Sequence, residues 1–195
     1  MAIATRHLEI YGQPVERHLT ADEFLALDAW LPHVELIDGE VVVDSPTLLH
    51  QHVLQELLLR LMLWVKAEHG RGQCGIEVDT KLNPTNVYKP DVWWYCEERK
   101  PGVGKFRLLL LPDLAVEVLS DSNRRYDLGV KRARYEQAGL PELWLIDPDA
   151  VTATLCQRSD ADSPVFDVTA KVERGGRLKS PQLPGFDVRL ADLFP

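Results

Sequence analysis

The sequence predicts an α/β fold in which a mixed β-sheet core is flanked by helices, with an N-terminal hairpin and a C-terminal β meander. Three observations support this prediction: a long stretch with apolar residues at helical spacing, three short apolar runs after it, and a second helical stretch followed by a further apolar run. A chain of 195 residues with 45% hydrophobic residues is long enough to bury a substantial core. We therefore expect residues 1–195 to form a single domain.

Capping and turn signals indicate the first two elements. Thr20 is followed three residues later by Glu23, a spacing typical of the capping box that begins a short helix. Residues 34–38 and 40–44 alternate around Asp38-Gly39, and this dipeptide is a strong signal for a two-residue turn. The sequence therefore predicts a short helix followed by a hairpin.

A long helix and three strands are predicted next. Apolar residues recur at helical spacing from about residue 50 to residue 69, and Gly70 then favours the end of the helix. The three apolar runs that follow are short and are separated by polar connections that contain proline and glycine, which is typical of strands. These candidate strands cover residues 74–81, 91–96 and 113–119.

The second half of the chain continues the pattern. A second helix is predicted over residues 123–138, with Gly139 just past its end. Residues 143–146 form a short apolar run, and residues 152–156 and 165–172 indicate a β meander. The order of helix, three strands, helix and strand is typical of one mixed sheet with helices packed against it.

Asp91 and Glu117 are carboxylates inside two of the apolar runs. Ionised in an apolar interior, each would need a cation or strong hydrogen-bond donors. Two of them on separate strands therefore favour a shared positive partner, and a divalent metal is one such partner. If the strands are sheet neighbours, the carboxylates can converge into an oxygen-ligand site suited to Mg²⁺ or Mn²⁺. The alternatives are that Asp91 caps a turn and that Glu117 faces water on an edge strand.

Lys131 is the candidate catalytic cation. Asp127, Lys131 and Tyr135 lie four residues apart on the predicted second helix, so they share one stripe. A lysine that points inward beside the carboxylates would orient or help to deprotonate an attacking water and would neutralise charge on a phosphoryl group. The alternative is a surface ion pair between Lys131 and Asp127.

The charge distribution limits how the protein could bind nucleic acid. A net charge of −8 argues against a broad basic surface that coats nucleic acid, because that mode needs many phosphate contacts. A local basic cluster remains around the second helix. We predict that its arginines contact nucleic acid, although a charge run is more often a solvated helix face. They are Arg124, Arg125, Arg132 and Arg134.

Signals for secretion or membrane insertion are weak in this sequence. Residues 1–7 lack the apolar core of a signal peptide, and the leucine run 108–111 stops at Pro112, far short of a membrane span. Three widely spaced cysteines, Cys74, Cys96 and Cys156, favour reduced thiols. The expected compartment is the cytoplasm, without membrane association.

Short motifs along the chain occur in the order and spacing of a known family. They are Glu35-Leu36-Ile37-Asp38-Gly39-Glu40, Ser45-Pro46, His50-Gln51, Pro90-Asp91, residues 112–120, Arg125-Tyr126-Asp127-Leu128, residues 139–148 and Leu183-Pro184-Gly185-Phe186. In these motifs the chain resembles the Uma2 family of restriction endonuclease-like proteins. The resemblance covers roughly Thr20 to Phe194.

This resemblance implies a PD-(D/E)XK nuclease core with a restriction endonuclease-like sheet. Pro90-Asp91 would supply the first metal ligand, and Glu117 would supply the second. The lysine of such a core normally stands at position 119, which is Leu119 here, and Lys131 on the following helix would replace it. Asp121 stands where the family usually has a proline, which affects the turn into the second helix.

Three further residues are supporting candidates. Glu40 and His50 match recurrent family positions near the site, and Tyr135 shares the helical stripe of Lys131. The simpler alternatives are that Glu40 flanks the hairpin turn and that His50 caps the long helix.

Together these features predict an endonuclease that depends on Mg²⁺ or Mn²⁺ and hydrolyses phosphodiester bonds in DNA. DNA is the expected partner, and a homodimer is one expected assembly. Two alternatives belong to other classes. One is a nuclease-like binding module with weak turnover, and the other is an interaction protein whose acidic surface meets a basic partner.

Overall fold

A computed structural model describes residues 9–10, 13–14, 18–27, 33–43, 46–104, 108–120 and 127–195. The strands are β1 (Glu9–Ile10), β2 (Gln13–Pro14), β3 (Val34–Ile37), β4 (Glu40–Val43), β5 (Gln73–Gly75), β6 (Asp79–Asn83), β7 (Asn86–Tyr88), β8 (Val92–Tyr95), β9 (Leu108–Leu109), β10 (Leu114–Val118), β11 (Glu142–Asp147), β12 (Thr152–Gln157), β13 (Val168–Val172), β14 (Arg177–Leu178) and β15 (Val188–Arg189). The helices are α1 (Ala21–Leu25), α2 (Leu48–Ala67), a π-helical segment (Asp127–Lys131) that continues into α3 (Arg132–Ala138), and a 3₁₀ helix (Leu190–Leu193).

Two larger sheets organise these strands. A six-stranded sheet has the order β13-β12-β11-β10-β8-β5, and a five-stranded sheet has the order β4-β3-β7-β6-β9. Strand β10 lies inside the six-stranded sheet, parallel to β11 and antiparallel to β8. The predicted mixed sheet with flanking helices is confirmed.

Local signals explain the first elements. The Thr20 hydroxyl accepts a hydrogen bond from the Glu23 amide at 3.2 Å, and the Thr20 amide donates to the Glu23 carboxylate at 2.9 Å, so the predicted capping box is confirmed. The predicted hairpin is also confirmed, with β3 and β4 paired around Asp38 and Gly39. These two turn residues have φ values of 49° and 84°, the left-handed conformation that a two-residue hairpin turn requires.

The strand predicted over 74–81 is wrong, because this stretch forms β5 and β6 in different sheets. Glu77 lies between the two strands with a φ of 43°, which interrupts the extended backbone. As a result β5 pairs with β8, and β6 pairs with β7. The predicted second helix is present from residue 127 to residue 138, and residues 123–126 lie outside the described residues.

Both faces of the six-stranded sheet are covered. Side chains of α2, such as Leu57 and Leu61, pack with Val116 and Val118 of β10 in one apolar cluster. Tyr135 of α3 packs in a second cluster with Ala115 and Leu119, which alternate with these valines along the chain, and with Leu143 and Leu145 of β11. Glu117 therefore points toward the α3 side of β10, since it shares the parity of Ala115 and Leu119.

Two further features concern the state of the cysteines and the apolar character of the helices. Cys74, Cys96 and Cys156 are free thiols, and burial raises the pKa of the Cys74 thiol to about 11. No helix within the described ranges combines the length and the apolar character needed to cross a bilayer.

Candidate active site

The register of β8 and β10 brings Asp91 beside Glu117. Ala115 pairs with Trp93 and Val116 pairs with Val92, so continuing the register by one residue places Asp91 opposite Glu117. Residues directly opposite on neighbouring antiparallel strands are close enough for their side chains to meet. The condition that the two strands be sheet neighbours is therefore met.

Asp91 is held by two donors. The Val118 amide donates a hydrogen bond to Asp91 Oδ2 at 2.7 Å, and His50 Nε2 lies 3.2 Å from the same oxygen. Because an ionised carboxylate only accepts, His50 Nε2 is the donor in this contact. His50 lies in the first turn of α2, is 3% exposed and also donates its backbone amide to the capping residue Thr47. These contacts fix the orientation of the Asp91 carboxylate.

Glu117 is held by Tyr135 and Lys131. The Tyr135 hydroxyl donates to Glu117 Oε1 at 2.7 Å, and Lys131 Nζ lies 3.4 Å from Glu117 Oε2. Burial raises the pKa of Tyr135 well above its usual value, and the negative charges of Glu117 and Glu35 raise it further. The hydroxyl therefore keeps its proton and acts as a donor to Glu117.

Lys131 lies inside the protein between two carboxylates. Its Nζ atom is 2.7 Å from Glu35 Oε2 and 3.4 Å from Glu117 Oε2, and its side chain is only 7% exposed. The ammonium group also lies 5.6 Å from the ring centre of Tyr88, within the range of a cation–π contact. Lys131 is therefore not the surface residue that the alternative interpretation required.

Sequence reasoning missed Glu35 and Lys89. Glu35 Oε1 accepts a hydrogen bond from the Lys89 amide at 2.7 Å, and Lys89 Nζ lies 2.9 Å from Asp79 Oδ1. All three side chains are at least nine-tenths buried. A signal for Glu35 was present, because it lies in the apolar run Val34-Glu35-Leu36-Ile37 just as Glu117 lies in its own run.

These side chains surround one pocket. It is lined by His33, Glu35, Glu77, Lys89, Asp91, Glu117, Val118 and Lys131. His33 and Glu77 have φ values of 56° and 43°, and His33 Nδ1 lies 3.8 Å from Glu77 Oε1. Positive φ values are uncommon outside glycine, and strained backbone of this kind clusters at functional sites.

The other predicted residues lie elsewhere or outside the described chain. Glu40 is exposed at the start of β4 and does not line the pocket. Arg134 donates from Nε and from its terminal nitrogen to the two oxygens of Asp38, each at 2.8 Å, and this contact lowers the pKa of the Asp38 carboxyl. Arg132 is half-buried on α3. Arg124 and Arg125 lie outside the described residues.

The sequence model of the Uma2 family, described as "Putative restriction endonuclease", matches residues 21–191. The chain belongs to the Uma2 family. The family resemblance seen in the sequence motifs is thereby confirmed. No curated protein matches this Uma2 chain.

A solved structure is similar to this Uma2 chain in fold. It is the crystal structure of a putative nuclease belonging to DUF820 from Anabaena variabilis ATCC 29413, with a TM-score of 0.75 and 22% sequence identity. The match covers 90% of this chain and 97% of that chain. At this level of identity the likeness establishes the fold.

The donor set of the pocket is suited to a hard metal ion. Within the ranges that the structure describes, no group of three or more His, Cys, Asp or Glu side chains is arranged to hold a metal. Mg²⁺, however, is often bound through only one or two carboxylates and keeps several waters. Asp91 Oδ1 has no hydrogen bond to any other described residue, while Oδ2 is held by His50 and Val118. Asp91 and Glu117 therefore offer oxygen ligands of the kind that Mg²⁺ and Mn²⁺ prefer.

Proposed function

We propose that this Uma2 chain is a metal-dependent endonuclease that hydrolyses phosphodiester bonds in DNA. The observation that carries the proposal is the side-by-side placement of Asp91 and Glu117 on paired strands, with the buried ammonium group of Lys131 against Glu117. The description of the family, and that of the similar crystal structure as a putative nuclease, support the same reaction class.

Asp91 and Glu117 would hold a Mg²⁺ or Mn²⁺ ion. Such an ion, when bound, lowers the pKa of a water and neutralises charge on a phosphate. His50 and the Val118 amide orient the Asp91 carboxylate, and the Tyr135 hydroxyl orients the Glu117 carboxylate. These fixed donors keep both carboxylates in place before the substrate arrives.

Lys131 supplies positive charge where the reaction develops negative charge. In hydrolysis a water oxygen forms a bond to phosphorus, the bond to the leaving oxygen breaks, and a proton passes to that oxygen. Negative charge accumulates on the phosphoryl oxygens during this step, and a fixed ammonium group in a poorly solvated pocket stabilises it. The Lys131 ammonium group lies within 3.4 Å of two carboxylates, and this fixed position suits an electrostatic role.

DNA would be held by a small number of phosphate contacts. Arg124, Arg125, Arg132 and Arg134 are the proposed contacts, and Arg134 would have to release Asp38 in order to reach a phosphate. Since these arginines are the only proposed phosphate contacts on an acidic protein, few counterions would be displaced on binding, so the affinity should be modest and should fall only gently with salt.

The test combines plasmid cleavage with metal binding. Purified wild-type protein should nick plasmid DNA when Mg²⁺ or Mn²⁺ is added, and Asp91→Ala should abolish nicking. Calorimetric titration should show that Mn²⁺ binds wild type and that the Asp91→Ala, Glu117→Ala double variant binds it far more weakly. Asp162→Ala, which removes an exposed carboxylate from a turn, is the matched control and should behave as wild type.

Two results would contradict the proposal. Equal Mn²⁺ affinity in wild type and the double variant would show that Asp91 and Glu117 do not hold the metal. A wild-type protein that neither cleaves nor binds DNA at low salt with metal present would favour the interaction protein instead.

A further inference from the structure

Glu35 contacts two parts of the candidate site at once. Its Oε1 atom accepts from the Lys89 amide at 2.7 Å, two residues before Asp91 in the chain. Its Oε2 atom lies 2.7 Å from Lys131 Nζ, which is shorter than the 3.4 Å between Lys131 and Glu117. Of these two carboxylates, the one closer to the buried lysine thus belongs to the N-terminal hairpin.

We infer that Glu35 is a positioning residue that orients Lys131 toward the Asp91 and Glu117 pair. This inference rests on the proposed function, since it assigns the reason for which Lys131 is held. Glu35 would act through the lysine and would touch neither the DNA nor the metal.

Lys131 needs a positioning contact because of its place in the chain. At position 119 a lysine would stand directly after the end of β10, two residues from Glu117, and the neighbouring strand would limit its position. That position is Leu119, which is buried among apolar residues. Lys131 reaches the site instead from a π-helical segment, on a long stem with many rotamers. An ion pair to a fixed carboxylate selects one of them.

Glu35 is itself fixed firmly enough to do this. It lies on β3 between Val34 and Leu36, which are both buried. Its Lys89 contact is fixed in turn, because Lys89 Nζ donates to the Val34 carbonyl and pairs with Asp79. A residue that orients a catalytic group is usually locked by further contacts of this kind.

The geometry argues against a role for Glu35 as a metal ligand. Both of its oxygens already bind donors, one on Lys89 and one on Lys131. Glu35 does not form a metal-holding group with Asp91 and Glu117 among the described residues. Glu117 also meets a donor at each oxygen, but it lies opposite Asp91 on a paired strand. Glu35 lies on β3 in the other sheet and makes the shorter contact with Lys131.

A double-mutant cycle tests the inference. Single-turnover cleavage of a DNA duplex with saturating Mn²⁺ is measured for wild type, Glu35→Gln, Lys131→Met and the double variant. We expect Glu35→Gln to cleave about tenfold more slowly, because the lysine is less well placed. The Lys131→Met and double variants should cleave at equal rates, since without the lysine Glu35 has nothing to orient. Mn²⁺ affinity and DNA affinity of Glu35→Gln should match wild type.

Several outcomes would overturn the inference. An equal loss of cleavage rate when Glu35→Gln is added to wild type and to Lys131→Met would show that Glu35 acts independently of the lysine. Weaker Mn²⁺ binding by Glu35→Gln would make Glu35 a ligand. Glu35→Asp, which is one methylene shorter and cannot span both contacts, would be expected to fold and to cleave more slowly; a wild-type rate would also overturn the inference. Glu173→Gln, an exposed glutamate far along the chain, controls for nonspecific effects.

A second readout does not depend on cleavage. The thermal midpoints of the same four proteins should show coupling, with the double variant losing clearly less than the sum of the two single losses. Absence of that coupling overturns the positioning role even if wild type cleaves DNA. If wild type fails to cleave but the coupling is present, the proposed nuclease function fails while the hold of Glu35 on Lys131 stands.

Discussion

Lys131 differs from most lysines because its ammonium group is buried in the interior. Removing a charge from water without a partner costs several kcal/mol, so buried charges in folded proteins are paired. The carboxylates of Glu35 and Glu117 are such partners for the Lys131 ammonium group. The residue is therefore held in place by electrostatics, in a pocket that also contains Asp91.

Replacing Lys131 should separate chemistry from metal binding. Lys131→Met removes the charge but keeps most of the volume, so we expect single-turnover cleavage to fall by about two orders of magnitude. Mn²⁺ affinity should be retained, because the lysine is not a ligand. Stability should also fall by roughly 3 kcal/mol, because Glu35 and Glu117 lose their counterion.

The comparison needs calorimetry, denaturant unfolding and single-turnover kinetics on the same samples. Lys171→Met, on an exposed lysine of β13, is the matched control and should leave all three quantities unchanged. Cleavage by Lys131→Met at the wild-type rate would mean that the buried lysine has only a structural role.

At the level of elements, an ion pair between Arg134 and Asp38 joins helix α3 to the hairpin of β3 and β4. Arg134 binds both oxygens of Asp38 in the hairpin turn, and the Asp38 carboxylate also accepts from Asn86. The pair joins the element that carries Tyr135 to the element that carries Glu35. It is partly exposed, with side chains that are 31% and 42% accessible, so its contribution to stability is small.

Arg134→Ala should lower the free energy of unfolding by about 0.5 to 1 kcal/mol near neutral pH. The effect should depend on pH, because Arg134 lowers the pKa of Asp38 below its usual value of 3.8. The contribution is therefore present above that value and is lost as the pH falls through the lower pKa of the folded state. Urea unfolding of wild type and Arg134→Ala at neutral and at strongly acidic pH measures this, and an equal difference at both would contradict it.

Some elements could be predicted from sequence because their signals are local. Helix α2, the hairpin and β10 each follow from periodicity or a turn dipeptide within the element itself. The break between β5 and β6 could not be predicted in this way. It depends on a left-handed conformation at Glu77, a residue type with no local preference for it.

Some residues of the candidate site could likewise be predicted from local sequence, and others depend on tertiary contacts. Asp91 and Glu117 could be singled out because a carboxylate in an apolar run is unusual on its own. The contact of Glu35 with Lys89 joins residues 54 positions apart, so it depends on the pairing of β3 with β7. Lys131 could be proposed from its motif, but its burial between two carboxylates depends on how α3 packs on the sheet.

For the molecule as a whole, stability should have an alkaline limit set partly by Tyr95. This tyrosine is buried on β8, and its hydroxyl donates to the Leu110 carbonyl. Burial raises its pKa from 10.0 to about 12. The unfolded chain would therefore release this proton at a lower pH than the folded protein does.

Between pH 10 and pH 12 the free energy of unfolding should fall by about 1.4 kcal/mol per pH unit from this group alone. The stabilising effect of the retained proton is complete below the unfolded pKa and is lost as the pH rises. Tyr95→Phe should be less stable than wild type near neutral pH, because it loses a hydrogen bond, yet should decline less steeply in alkali. Denaturant unfolding across this range is the measurement, and parallel declines in the two proteins would refute the assignment.

The hydrogen bond from the Val118 amide to Asp91 makes one backbone proton a reporter of the candidate site. Strand β10 is paired on both sides, so most of its amides exchange with deuterium only when the sheet opens. The Val118 amide is bonded to a side chain instead, and it becomes free whenever the Asp91 carboxylate turns away. The rate of deuterium uptake at the Val118 amide therefore reports how often the Asp91 carboxylate turns away. The uptake rates of the preceding β10 amides report the opening of the strand, so the two motions can be measured separately.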